Sequence, residues 1–164
     1  MKALYVIRHG IAEKPDADVD DEARELTGKG RERMKLVAKG LEDSGVRFDI
    51  ILTSPLARAS QTADIIRKYC SPDADMEVTG LLKPVASVDE LIERLNTIEG
   101  ADSVAIVGHE PFLSSFVSYC LSGKKSSFIQ LKKGGIALLE TDGDLQPGQC
   151  ALVWLLEPGQ LAQL

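Results

Sequence analysis

The segment Leu4-Tyr5-Val6-Ile7-Arg8-His9-Gly10 joins four unbroken apolar residues to a guanidinium, an imidazole and a glycine. An apolar run of that length without polar alternation predicts a strand covered on both faces. Two such polar groups at the carboxyl end of a buried strand pack poorly unless they meet a ligand, and the ligand they suit is an anion. Two further runs, Phe48 to Leu52 and Ser103 to Val107, have the same unbroken character.

Helical patterns lie between these runs. Thr27 is placed to cap a helix to about Leu41, with Met34, Val37, Ala38 and Leu41 on one face and Gly45 past the end. Ser54-Pro55 reads as a helix start, a hydroxyl N-cap followed by proline at the first helical position. Ser87 to Ile98 and Pro111 to Leu121 carry two more helices, and Gly135 to Leu139 and Ala151 to Leu156 are closing strands that can pair as a hairpin. The predicted order is β-α-β-α-α-β-α followed by the hairpin. Strands separated by helices imply an α/β fold, a three-layer α/β/α sandwich around a mostly parallel central sheet with an antiparallel edge. With 164 residues and no composition break, one domain over 1–164 is expected. The acidic stretch Glu13 to Glu25 lacks periodicity and follows the first strand, which makes it a candidate active-site loop.

A net charge of -6 opposes a nucleic-acid partner held by phosphate neutralisation, yet a few converging cations are enough for a phosphorylated substrate. Cys70, Cys120 and Cys150 are odd in number, lack metal or redox spacing and border apolar segments; reduced thiols and a cytoplasmic setting are expected. No segment has the roughly 20 apolar residues of a membrane span.

In open α/β sheets, ligands gather at the carboxyl ends of strands. The first strand supplies Arg8 and His9. The second ends in Thr53-Ser54-Pro55 and reaches Arg58, and the third ends in Gly108-His109-Glu110-Pro111. The two histidines of the chain both fall at these ends, a concentration that core packing does not explain. A metal held by the two histidines would lack an obvious third ligand and face repulsion from the arginines, so no metal or other cofactor is expected.

These residues resemble the histidine phosphatase superfamily, which includes cofactor-independent phosphoglycerate mutases and acid phosphatases. The resemblance rests on Arg8-His9-Gly10, on Thr53-Ser54-Pro55-Leu56-x-Arg58-Ala59-x-Gln61-Thr62-Ala63, and on Gly108-His109 after a valine-rich strand. The short length, Asp21-x-x-Arg24-x-Leu26-Thr27-x-x-Gly30 and Gly134-Gly135 before a strand look most like the compact SixA-type branch, whose members are phosphohistidine phosphatases. The resemblance implies a phosphoglycerate mutase-like fold and a metal-independent phosphohydrolase working through a phosphohistidine intermediate. His9 would be the nucleophile, His109 an oxyanion stabiliser, and Arg8 and Arg58 the substrate-binding clamp. The charge logic agrees: paired guanidiniums bind phosphoryl oxygens and depress a neighbouring imidazole pKa.

The mutase branch follows Arg-His-Gly with an acidic and a hydroxyl residue and carries a catalytic glutamate on an insertion. Here the residues are Ile11-Ala12-Glu13-Lys14, and Thr79 to Pro84 contains no acid. Asp21 is the remaining candidate for a catalytic acid, with a solvated carboxylate or a partner for Arg24 as its ordinary alternative. Weak proton donation leans toward a P–N bond, since a phosphorylated imidazole leaves as a neutral ring. The expected partner is a phosphorylated protein, such as a histidine phosphotransfer domain, or a small phosphorylated metabolite. A small-molecule phosphomonoesterase and a non-catalytic phosphate-binding module are the competing readings. Lys124-Lys125 and Lys132-Lys133 are read as solvated surface, with a basic rim as the alternative.

Overall fold

The computed structural model describes residues 3–18 and 20–164. Six strands form one sheet: β1 (Ala3–Arg8), β2 (Ile50–Thr53), β3 (Asp75–Val78), β4 (Ser103–Gly108), β5 (Ile136–Glu140) and β6 (Ala151–Leu156), in the order β3-β2-β4-β1-β5-β6. The β3-β2, β2-β4 and β4-β1 pairings are parallel, while β5 runs antiparallel to both β1 and β6. The expected mostly parallel sandwich and its closing hairpin are therefore both present.

Side chains of β1 alternate between the two faces. Tyr5 and Ile7 join a cluster with Met34, Val37, Leu41 and Ile66, on the side of α1 (Gly28–Asp43) and α2 (Ala57–Cys70). Leu4 and Val6 join Leu91, Leu95, Phe116 and Val117, on the side of α3 (Val88–Asn96) and α4 (Phe112–Ser122). A short α5 (Pro158–Leu161) packs on α1. Because both faces are covered, the strand must be apolar at every position, which is why its sequence does not alternate.

Two expectations need correction. β3 was not foreseen: Asp75-Met76-Glu77-Val78 is a mostly exposed edge strand, so half-polar residues tolerate its single pairing to β2. Ser54 does not cap α2, which begins at Ala57 behind Leu56 without a side-chain cap. Ser54 is still held by the sheet, its N–H donating to the Val107 carbonyl at 3.0 Å.

Close approach explains Gly30, the third residue of α1. A Cβ there would lie 2.1 Å from the Ile11 carbonyl oxygen. The same oxygen accepts from the Thr27 N–H at 2.9 Å, and the Thr27 hydroxyl accepts from the Gly30 N–H at 2.9 Å, so helix start and strand exit are clasped together.

Candidate active site

Strand register builds the site. β1 and β4 pair residue for residue, ending with Arg8 opposite Gly108, so the next residues, His9 and His109, emerge side by side. Their ring centroids are 5.1 Å apart. The His9 N–H donates to the Gly108 carbonyl at 3.1 Å, which fixes the exit of both strands. Register also brings Ser54, after β2, next to His109, where its Oγ lies 2.8 Å from the His109 Nε2.

The His9 Nδ1 is 2.7 Å from the Gly10 carbonyl oxygen. A carbonyl only accepts, so Nδ1 carries the proton and a neutral ring keeps its lone pair on Nε2. Burial, with help from the Arg58, Arg8 and Lys133 charges, lowers the His9 pKa to about 4. Burial together with His9, Arg58 and Arg8 lowers that of His109 to about 3. Both rings are thus neutral near pH 7 in the unliganded protein.

The guanidiniums are held by backbone as much as by acids. Arg8 donates from Nη1 to the Leu131 carbonyl at 2.6 Å. Leu131 is itself fixed by the Glu110 carboxylate, which accepts from its N–H at 3.3 Å and from the Ser114 hydroxyl at 2.6 Å. Arg58 is anchored through Thr62, whose Oγ1 donates to the Arg58 carbonyl at 2.7 Å and accepts from the Gly10 N–H at 3.0 Å. This ties the first turn of α2 to the turn after β1.

Among the described residues, four buried side-chain polar atoms have no hydrogen-bond partner: Arg8 Nε, Arg58 Nε, His109 Nδ1 and Ser103 Oγ. Three of the four belong to this cluster. Unpartnered buried polar atoms cost about 1–3 kcal/mol each; two of these three are guanidinium N–H donors, and His109 Nδ1 becomes a third once it carries a proton, so the cluster at three strand ends suits an oxyanion.

Asp21 lies on a 3-10 turn, Asp21–Ala23, within the loop after β1. Its carbonyl accepts from the Arg58 Nη1 at 2.7 Å and its carboxylate from the Arg58 Nη2 at 3.1 Å. The carboxylate also pairs with Arg24 at 2.6 Å, and these contacts, led by the Arg24 hydrogen bond, hold its pKa below the usual carboxylate range. All the foreseen site residues therefore meet in one place, with Asp21 present as a bound anion. Ser54 and Glu110 lie in the strand-end segments the sequence points to, but their contacts with His109 and Leu131 are set by the fold, as is the Thr62 bridge from Arg58 to Gly10, and the contribution of Leu131 is a main-chain oxygen that residue type does not reveal.

The four lysines divide. Lys132 and Lys133 line recesses bordering the Arg8 side of the site, whereas Lys125 pairs with Asp89 on α3 at 2.6 Å, and Lys124 is exposed after α4. The larger recess, about 830 Å³, lies between residues 11–16 and 23–27 and is lined by Lys133 at its edge.

A profile of the histidine phosphatase superfamily (branch 1) matches residues 4–84. An uncharacterised protein of Picosynechococcus sp. is 38% identical over 135 residues, covering 81% of each chain. The phosphohistidine phosphatase SixA of Escherichia coli K12 is 28% identical over 123 residues, 74% of this chain and 75% of its own. The structure of the protein histidine phosphatase SixA complexed with tungstate superimposes with a TM-score of 0.85 at 27% identity, covering 97% of this chain and 99% of that one.

Proposed function

We propose, from the premise that this chain belongs to the histidine phosphatase superfamily as a phosphatase of its SixA-type branch, that it hydrolyses phosphohistidine on a protein through a phospho-His9 intermediate. The observation that carries the reading is the trio of unpartnered buried nitrogens, the donors Arg8 Nε and Arg58 Nε with His109 Nδ1, beside the His9 imidazole, whose Nε2 keeps its lone pair.

In this mechanism Arg8 and Arg58 bind the phosphoryl oxygens and offset their charge. The His9 Nε2 forms a bond to phosphorus as the P–N bond to the substrate imidazole, protonated on its other ring nitrogen, breaks and that ring leaves neutral. Binding of the dianion raises the His109 pKa, and its Nδ1–H donates to a phosphoryl oxygen. Water then attacks phosphorus, the P–N bond to His9 breaks, and phosphate leaves. Metal independence is part of the proposal, the two guanidiniums providing the charge compensation; among the described residues, no three His, Cys, Asp or Glu side chains are grouped to hold a cation.

The acids near the site favour P–N over P–O cleavage. Asp21 is ionised and engaged by Arg58 and Arg24, and Glu110 is committed to Ser114 and Leu131. Neither is poised to protonate an alkoxide, whereas a phosphohistidine substrate needs far less proton donation. A cytoplasmic setting belongs to the same reading, supported by three unpaired cysteines; no described helix is long and apolar enough to cross a membrane.

Brief exposure to a phosphohistidine protein carrying labelled phosphate tests the mechanism. The expected result is acid-labile, alkali-stable label on His9, with His9→Ala losing turnover while retaining oxyanion binding. Turnover without label on His9, or faster turnover of simple phosphate esters than of the phosphoprotein, overturns it.

A further inference from the structure

The two recesses that meet at Lys133 differ in charge, and the difference gives the site a direction. In the larger one, Lys14, Arg24 and Lys133 face Glu13, Asp16 and Glu25, an even balance. The smaller, about 460 Å³, shares Ile11 and Lys133 with it and is lined by Arg8, Arg33, Lys132 and Lys133 against one carboxylate, Glu157. That carboxylate is already engaged, pairing with Lys132 at 2.7 Å. Arg33, on the exposed face of α1, and Lys133 have no carboxylate partner among the described residues.

A chain with a net charge of -6 thus keeps two uncompensated cations in a recess that shares Arg8 with the phosphoryl site. Structural need does not account for them. Each lies at the surface, outside both apolar clusters, and like charges in one recess repel. A dianionic phosphoryl group bound at Arg8 and Arg58 leaves Arg33 and Lys133 free for a second anionic group on the same substrate.

We propose that the recess between the end of β1, α1 and α5 is a specificity subsite, in which Arg33 and Lys133 receive a carboxylate flanking the phosphohistidine of the protein substrate. The inference rests on the phosphohistidine reading and adds a polarity to it. Acidic residues on one side of the phosphohistidine accelerate turnover, and those on the other side meet the balanced recess and gain nothing. A carboxylate within a small phosphorylated metabolite would use the same chemistry, so the test separates the two sources.

Three phosphohistidine peptides, with aspartates N-terminal to the modified residue, C-terminal to it, or replaced by serine, are compared with phosphoserine and its carboxylate-free analogue phosphoethanolamine. Two screened surface contacts predict about a five- to tenfold gain in kcat/KM for one acidic peptide, diminishing at high salt. Arg33→Glu is expected to erase or invert that preference. Equal rates for all three peptides, or a preference that survives Arg33→Glu and Lys133→Glu, overturns the subsite. A gain confined to phosphoserine over phosphoethanolamine transfers the carboxylate to a small metabolite and overturns the protein assignment. Amide chemical shifts at Lys133 and Gly159 on titration with the unphosphorylated acidic peptide keep the failures apart: no turnover of any phosphohistidine peptide refutes the parent reading, while unmoved shifts refute the subsite.

Discussion

Replacing Asp21 by asparagine separates two opposite roles for its carboxylate. In the free protein it occupies Arg58, Oδ2 lying 3.1 Å from Nη2, with the Arg58 side chain 5% exposed and the Asp21 side chain 59% exposed. An incoming dianion must share that guanidinium with it. Two anions on one guanidinium lie about 5 Å apart, and at a water-like dielectric, which suits so exposed a carboxylate, their repulsion is roughly 1.5–2 kcal/mol. The amide removes the repulsion and keeps an acceptor for Arg58. Asp21→Asn should therefore bind tungstate or phosphate about 10- to 30-fold more tightly at pH 7, with the gain shrinking in salt. Calorimetric titration measures it directly. Turnover of a phosphohistidine peptide at saturation should hold or rise. If binding is unchanged, the carboxylate does not compete for Arg58. If turnover instead collapses, and collapses further as the pKa of an aryl leaving group rises, Asp21 is the proton donor and the P–N preference loses its main support.

The paired histidines make stability depend on pH in a defined direction. Their folded pKa values, about 4 for His9 and about 3 for His109, lie below the ordinary 6.5, so the unfolded chain takes up protons first. Their contribution is intact above about pH 6.5 and is lost as pH falls toward 4 and 3, at up to roughly 1.4 kcal/mol per unit for each ring. The urea midpoint should drop between pH 7 and 5, less so in His109→Asn; an unchanged midpoint contradicts the burial argument. Gly30→Ala places a methyl 2.1 Å from the Ile11 oxygen, an overpacking that should cost about 1–3 kcal/mol and lower Tm by roughly 2–4 °C for each kcal/mol lost. Thermal melts at neutral pH check this. Thiol labelling should proceed at Cys150, which is partly exposed and has a pKa lowered by a hydrogen bond to Cys120. Cys70 and Cys120 are buried with raised pKa values and should react only on unfolding, as peptide mapping after mild alkylation will show.

The elements legible from sequence were those whose burial leaves one option. β1 and β4 are covered on both faces, so apolar runs announce them, and Ser87 is the observed cap of α3, accepting from the Glu90 N–H at 3.4 Å. β3 was invisible because an edge strand asks little of its side chains. Ser54 misled because a hydroxyl before proline is a sound cap on local grounds, while the register of three strands assigned it to His109. The site was readable as a set of residue types at strand ends. Its inner supports were not: Glu110 reaches Arg8 through a loop residue 21 positions away in sequence, and Arg33 comes near Arg8 only through the packing of α1.

The position of β1 at the middle of the sheet governs when the enzyme comes into being. Its two neighbours, β4 and β5, lie about a hundred and about 130 residues further along the chain, and the carbonyl that steadies Arg8 belongs to Leu131. During synthesis the Arg8-His9 segment therefore emerges about a hundred residues before the first strand that pairs with β1. Such distant closure is slow compared with helix docking, and it leaves an apolar strand in need of shelter meanwhile. Fragments ending before β5 should consequently lack phosphatase activity.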